Sequence, residues 1–249
     1  MDIRERVQQY IDSSGFPLEF FAADNLAAAG FLPRHGRTYE SRPTLGADVV
    51  HREIDVLAEL PDARLARPAA LVVECKRAMA PWVVIVGERD PEPQLQVVHR
   101  RGHGKPLKRE LARAARQALG IVPPLAFGLT KVRNPSKGGG EREDPTDPFD
   151  AVRQVLSAAV GATSMLPAGA IVHPVLVVEG RLFRYQHGLE VAEVPAARMV
   201  WWGAPTGPMP VVLDVVSRVG FDVAYVLGLR DDLVRLSHVL GADQGPATP

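Results

Sequence analysis

The sequence holds a single cysteine, Cys75, among 249 residues, which excludes an internal disulfide and any zinc site built on paired thiolates. It has no excess charge of either sign. Its 29 basic residues stand against 29 acidic ones, so no global basic field draws it onto nucleic acid, and any such affinity must come from a local patch. Long apolar runs are missing too: stretches such as Val175 to Val178 fall far short of the roughly 20 residues that cross a bilayer. Charged Asp2, Arg4, Glu5 and Arg6 open the chain where a secretory signal would be apolar. These absences predict a cytoplasmic protein with no membrane partner. What is present is a hydrophobic content of 46%, enough for a substantial buried core.

Periodicity predicts an α/β chain. Ile3, Val7, Tyr10 and Ile11 recur at helical spacing, and a second helix follows from Pro17 to Gly30 with Leu18, Phe21, Ala22, Leu26 and Ala29 as its apolar stripe. From about Val49 the period becomes two. Ile54, Val56, Ala58 and Leu60 are expected on one face of a strand, with Glu53, Asp55, Leu57 and Glu59 on the other. Leu71 to Arg77 reads as its hairpin partner, Trp82 to Val86 as a third strand, Lys105 to Leu119 as a helix and Ile121 to Val132 as a further apolar run. Residues 134–148 read as a flexible, glycine-rich loop. An Asp147-Pro148 start signal then opens a helix, Val175 to Val178 and Leu182 to Tyr185 make a second hairpin, and a last helix spans about Phe221 to Leu240. We expect one domain over residues 1–240 with a central mixed β-sheet flanked by helices: a core motif over 16–130, a C-terminal α/β extension over 149–240 and a disordered tail from 241 to 249.

Asp is disfavoured inside strands, yet Asp55 sits between two residues with core character. With the hairpin loop symmetric about Arg64 and Leu65, Asp55 falls opposite Glu74, at a Cβ separation of about 4.5 to 5.5 Å. A slip by two residues would set it against Val72 or Lys76. Two carboxylates so placed repel each other, and a cation relieves them. Magnesium suits the pair, because it takes one or two carboxylates and completes its shell with water and phosphate oxygens. Lys76 lies two residues from Glu74 on the same face, within reach of the same ion-bound water or phosphate. Cys75 would face the core as a small hydrophobe and offer the ion only its backbone carbonyl.

At these residues the chain resembles a known family. Arg52-Glu53-Ile54-Asp55-Val56-Leu57-Ala58 followed by Leu71-Val72-Val73-Glu74-Cys75-Lys76-Arg77 is similar to the core motif of the PD-(D/E)xK, restriction-endonuclease-like nucleases. The Phe16-Pro17-Leu18-Glu19 stretch, Gly30-Phe31 and Pro81-Trp82 also resemble bacterial members without an assigned substrate. The resemblance implies a core of helix, three strands, helix and strand. It implies Asp55 and Glu74 as metal ligands, Lys76 as the residue assisting attack, Glu19 on the preceding helix as the completing acid, and Mg²⁺ or Mn²⁺ as cofactor. It does not extend to a proline before Asp55, and it covers the first half of the chain better than the second.

A basic series, Arg100, Arg101, Lys105, Lys108, Arg109, Arg113 and Arg116, is the expected nucleic-acid grip. His99 and His103 lack a third partner for zinc and are flanked by Gly102 and Gly104. Trp201 and Trp202 read as core or sheet-edge aromatics. The expectation is a magnesium-dependent nuclease acting on DNA, or alternatively RNA, and dimeric if it cuts both strands of a duplex. The contrasting expectation is a nuclease-like binding module without turnover.

Overall fold

Each helix starts and stops where local chemistry allows. The first, α1 (Ile3–Ser13), carries a capping box in which Asp2 and Glu5 serve each other's backbone N–H groups. The second, α2 (Phe16–Ala28), has Pro17 in its first turn and ends before Gly30, whose φ of +89° few other residues adopt without strain. Asp147 caps α4 (Pro148–Ala162) by accepting the Phe149 N–H, as the Asp147-Pro148 signal predicts. The remaining helices are α3 (Arg109–Ala118) and α5 (Val223–Gly241). The strands are β1 (Leu32–Ser41), β2 (Val50–Leu60), β3 (Ala69–Arg77), β4 (Trp82–Gly87), β5 (Val98–His99), β6 (Leu125–Lys131), β7 (Ile171–Glu179), β8 (Leu182–Gln186), β9 (Ala192–Glu193), β10 (Ala196–Trp201) and β11 (Val211–Ser217). These elements come from a computed structural model, which describes residues 2–41, 49–87, 98–99, 109–121, 125–132, 147–201 and 211–241.

The strands form one mixed sheet in the order β1-β2-β3-β7-β11-β10-β6-β4-β8-β9. β5 pairs with the start of β7, on the edge that β11 takes over from Val175. Helices cover both faces. On one side α2, α3 and α5 pack Leu18, Leu26, Ala112, Ala115, Leu229 and Leu233 onto Val56, Leu71, Val73, Val175 and Val177. On the other, α4 packs Val152, Val155, Leu156 and Ala159 onto Ile54, Val72, Leu176 and Leu213. The central strands β3, β7 and β11 are buried on both faces, which is why they read as nearly continuous apolar runs rather than as alternating ones.

Four expectations are corrected. The sheet's opening meander is β1-β2-β3, antiparallel throughout, and its first strand, Leu32–Ser41, falls where the sequence offers mostly exposed polar residues. The strand at Trp82 does not pair with β3; it pairs with β6 and β8. The crossover from β3 to its parallel neighbour ends through α4 into β7, so the strand beside the meander in the sheet is 171–179 rather than the run at 121–132. β7 and β8 do not form the expected hairpin, because β8 runs parallel to β4 while β7 lies between β3 and β11. The loop at 134–146, Lys105 and Lys108, and the tail at 242–249 lie outside the described residues.

A second buried charge cluster fastens the helices to the sheet. Asp214 of β11 receives His173 Nε2 at 2.6 Å and Arg198 Nε at 3.0 Å, and Arg198 also donates to Asp232 of α5 and to the Leu119 carbonyl after α3. Burial alone would raise the Asp214 carboxyl, but Arg198 and His173 hold it down at about 2. Asp214→Ala strips Arg198 of its main counter-charge in a dry setting, and the expected loss is about 3 kcal/mol in urea unfolding. A loss below about 1 kcal/mol would show that the cluster does not act as a unit.

Candidate active site

The site forms where β2 and β3 part. Their ladder runs from Leu60↔Ala69 to Val56↔Val73, the register expected of a loop symmetric about Arg64 and Leu65. It stops one pair short of Asp55 and Glu74. The Cys75 N–H there turns to the Asp55 side chain and donates to Oδ2 at 2.7 Å. On the other edge of β2 the pairing with β1 skips the same level, passing from His35↔Val56 to Arg37↔Ile54. Gly36, between those positions, has a φ of +62°, a left-handed conformation that a side chain would strain.

This interruption changes which way β2 faces. Ile54 packs in the core under α4, whereas Val56, Ala58 and Leu60 pack in the core under α2. An uninterrupted strand would put all four on one side, as the alternation predicts. The correction is therefore local: Asp55 is the residue at which the two faces exchange.

Glu74 is 6% exposed, and its Oε1 accepts from Lys76 Nζ at 2.5 Å. Cys75 points the other way into the core under α2. Burial, and then the charges of Asp55 and Glu19, push its thiol well above the usual range, so it is no nucleophile at neutral pH. The structure thus brings Asp55, Glu74 and Lys76 together, and Glu19 of α2 joins them electrostatically. Burial, followed by Asp55 and Glu53, raises the Glu19 carboxyl to about 7, with Lys76 opposing. Burial and Asp55 likewise raise Glu74 to about 7. Asp55 is raised by burial, against the pull of the Cys75 N–H and Lys76.

One ammonium among these acids leaves the cluster short of positive charge. Asp55 Oδ1 and Glu74 Oε2 accept no hydrogen bond among the described residues. Among those residues no three His, Cys, Asp or Glu side chains are grouped as a metal cage.

The nucleic-acid residues are only partly placed. Arg100, Arg101, Lys105 and Lys108 lie outside the described residues. Arg109 opens α3, where Arg113 is exposed and Arg116 half-buried. That helix packs through Ala112 and Ala115 on the α2 and α5 side, and neither Arg113 nor Arg116 is among the charges that act most on the acidic cluster. Sequence reasoning missed a cavity of about 210 Å³ beside Glu74, lined also by Tyr39, Arg52, Glu53 and Gln154. Tyr39 and Gln154 come from elements far apart in sequence, and only their fold brings them together. No family model matches the chain, and no curated protein or solved structure matches it.

The raised acids give a signed pH dependence. Glu19 and Glu74 hold their protons to about 7 in the folded chain, against 4.5 ordinarily. Between those values the native state binds more protons, so stability is full below pH 4.5 and is lost as pH rises through about 7. Thermal unfolding without divalent ions should show Tm falling across that window, with the slope reduced in Glu74→Gln. At pH 8, Mn²⁺ at about a hundred times its Kd should restore about 2.7 kcal/mol, or roughly 5 to 10 °C for a chain of this size. A flat profile that Mn²⁺ does not move would contradict the charge balance described.

Proposed function

We propose that the chain is a metal-dependent nuclease that hydrolyses DNA phosphodiester bonds by activated water. The observation carrying this reading is the meeting of Asp55, Glu74 and Lys76 at the point where β2 and β3 separate. The series α2, β1-β2-β3 and then, after the intervening β4, β5, α3 and β6, α4 and parallel β7 supports it, since it contains in order the helix, three strands, helix and strand that the resemblance implies. So does the placing of the acids and the lysine on the second and third strands of that meander. Asp55, Glu74 and the Cys75 carbonyl would hold Mg²⁺ or Mn²⁺, which supplies Lewis acidity toward water and phosphate oxygens.

The side chains have distinct tasks. The Asp55 carboxylate, pinned at Oδ2, keeps Oδ1 fixed in direction, so little ordering remains to be done when substrate arrives. Lys76 Nζ, held by Glu74 in the free protein, turns its charge to a phosphate oxygen and stabilises the negative charge that grows there in the transition state. Glu19 retains a proton up to about 7, a value matched to proton exchange with a reacting oxygen near neutrality. α3 and the basic segment before it hold the strand through its phosphates.

Supercoiled plasmid incubated with Mg²⁺ or Mn²⁺ should be nicked. Asp55→Asn, Glu74→Gln and Lys76→Ala should each slow nicking by at least about a hundredfold, and Glu19→Gln by about tenfold. An RNA of the same sequence, added as competitor, measures the preference for DNA. No nicking, or nicking that Lys76→Ala leaves untouched, would remove the reading. Metal-independent DNA binding that survives Asp55→Ala would then favour the binding module.

A further inference from the structure

Besides Tyr39 and Glu53, the cavity beside Glu74 is lined by two side chains with N–H donors that the chemistry above does not use. Arg52 sits on β2, paired with Tyr39 of β1, and Gln154 projects from the second turn of α4. Neither has a hydrogen bond or an ion pair among the described residues. Arg52 is exposed, whereas Arg64, Arg181, Arg198 and Arg218 each hold a carboxylate. Arg52 holds none, even though Glu53 and Glu74 line the same cavity. A guanidinium kept off two nearby carboxylates retains its donors for an incoming acceptor.

The wall behind these groups is closely packed. Tyr39 is 5% exposed, and its ring lies so close to α4 that a Cβ on Gly161 would overlap it. Gly161 is thus required for contact between β1 and α4, and that contact fixes the distance from Arg52 to Gln154. At about 210 Å³ the cavity has room for a phosphate with its ester carbons.

On the nuclease reading, on which this inference rests, the strand being cut passes Glu74. The anion next along it is a neighbouring phosphate. We infer that Arg52 and Gln154 form an anchoring subsite for that non-scissile phosphate, Arg52 by a bidentate contact to its oxygens and Gln154 by its amide N–H. The substrate class is then a polynucleotide with at least two consecutive phosphodiesters, and an isolated phosphodiester gains nothing from the subsite.

Two substrates tested with Mn²⁺ separate the outcomes: a duplex oligonucleotide, and bis(p-nitrophenyl) phosphate, which has one phosphodiester and no neighbour. Arg52→Gln and Gln154→Ala should each raise KM for the oligonucleotide about tenfold with kcat little changed, and leave turnover of the small diester unaltered. Arg52→Lys should recover part of the loss. The log-log salt slope of oligonucleotide binding, read by fluorescence anisotropy without metal, should shrink by about 0.9 in Arg52→Gln and stay unchanged in Gln154→Ala. Equal losses on both substrates, or none on the oligonucleotide, would overturn the subsite while the nuclease reading stands. If the wild type cleaves neither substrate, that reading fails, and the anisotropy slope decides the subsite alone: an unchanged slope in Arg52→Gln overturns it.

Discussion

The bond from the Cys75 N–H to Asp55 Oδ2 is a backbone donor answered by a side chain in the middle of a sheet. An unpaired buried N–H costs free energy comparable to a lost hydrogen bond, so β2 and β3 can separate at this level only because Asp55 satisfies Cys75. The same bond turns Asp55 inward, beside Glu74, and fixes which of its oxygens remains open. Gly36 on the far edge of β2 supplies the left-handed turn by which the neighbouring strand accommodates the interruption. Without this exchange of partners the ladder would have no reason to stop at Val56, and the acids would be spaced along an ordinary strand face.

Among the described residues two buried charge clusters stand in contrast. Around Asp214 the carboxylate is matched by Arg198 and His173, and Asp232 meets Arg198 and Arg235. Opposite charges close on each other, and Asp214 titrates below its usual value. Around Asp55 the acids outnumber Lys76, and Glu19 and Glu74 titrate far above theirs. A structural cluster is complete within the chain. An incomplete one, buried and held by the sheet, has stored unfavourable charge that a ligand can relieve.

How much of this was legible beforehand follows from the range of each signal. Asp55, Glu74 and Lys76 were readable because strand parity and a short hairpin act over a few residues, and Arg64 and Leu65 at the turn set the pairing. The crossover was not. β3 ends at Arg77 and β7 begins only at Ile171, and nothing local in Trp82 to Val86 shows that it pairs with β6 and β8 rather than with β3. β1 was missed because Arg34, His35, Arg37 and Glu40 are exposed on an edge strand, where no apolar alternation is needed. Asp214 lies among valines and a leucine just as Asp55 lies between Ile54 and Val56. The same argument applied to it would have found a buried charge, but not that Arg198, sixteen residues earlier on the neighbouring strand, already neutralises it.

The central claim is that Asp55 and Glu74 share one cation. Calorimetric titration of Mn²⁺ into the wild type, Asp55→Asn, Glu74→Gln and the double variant measures this directly as a thermodynamic cycle. The account predicts one ion per chain, a large loss of affinity in each single variant and little further loss in the double. Additive losses, or binding that neither substitution weakens, would mean that the two carboxylates serve no common ion.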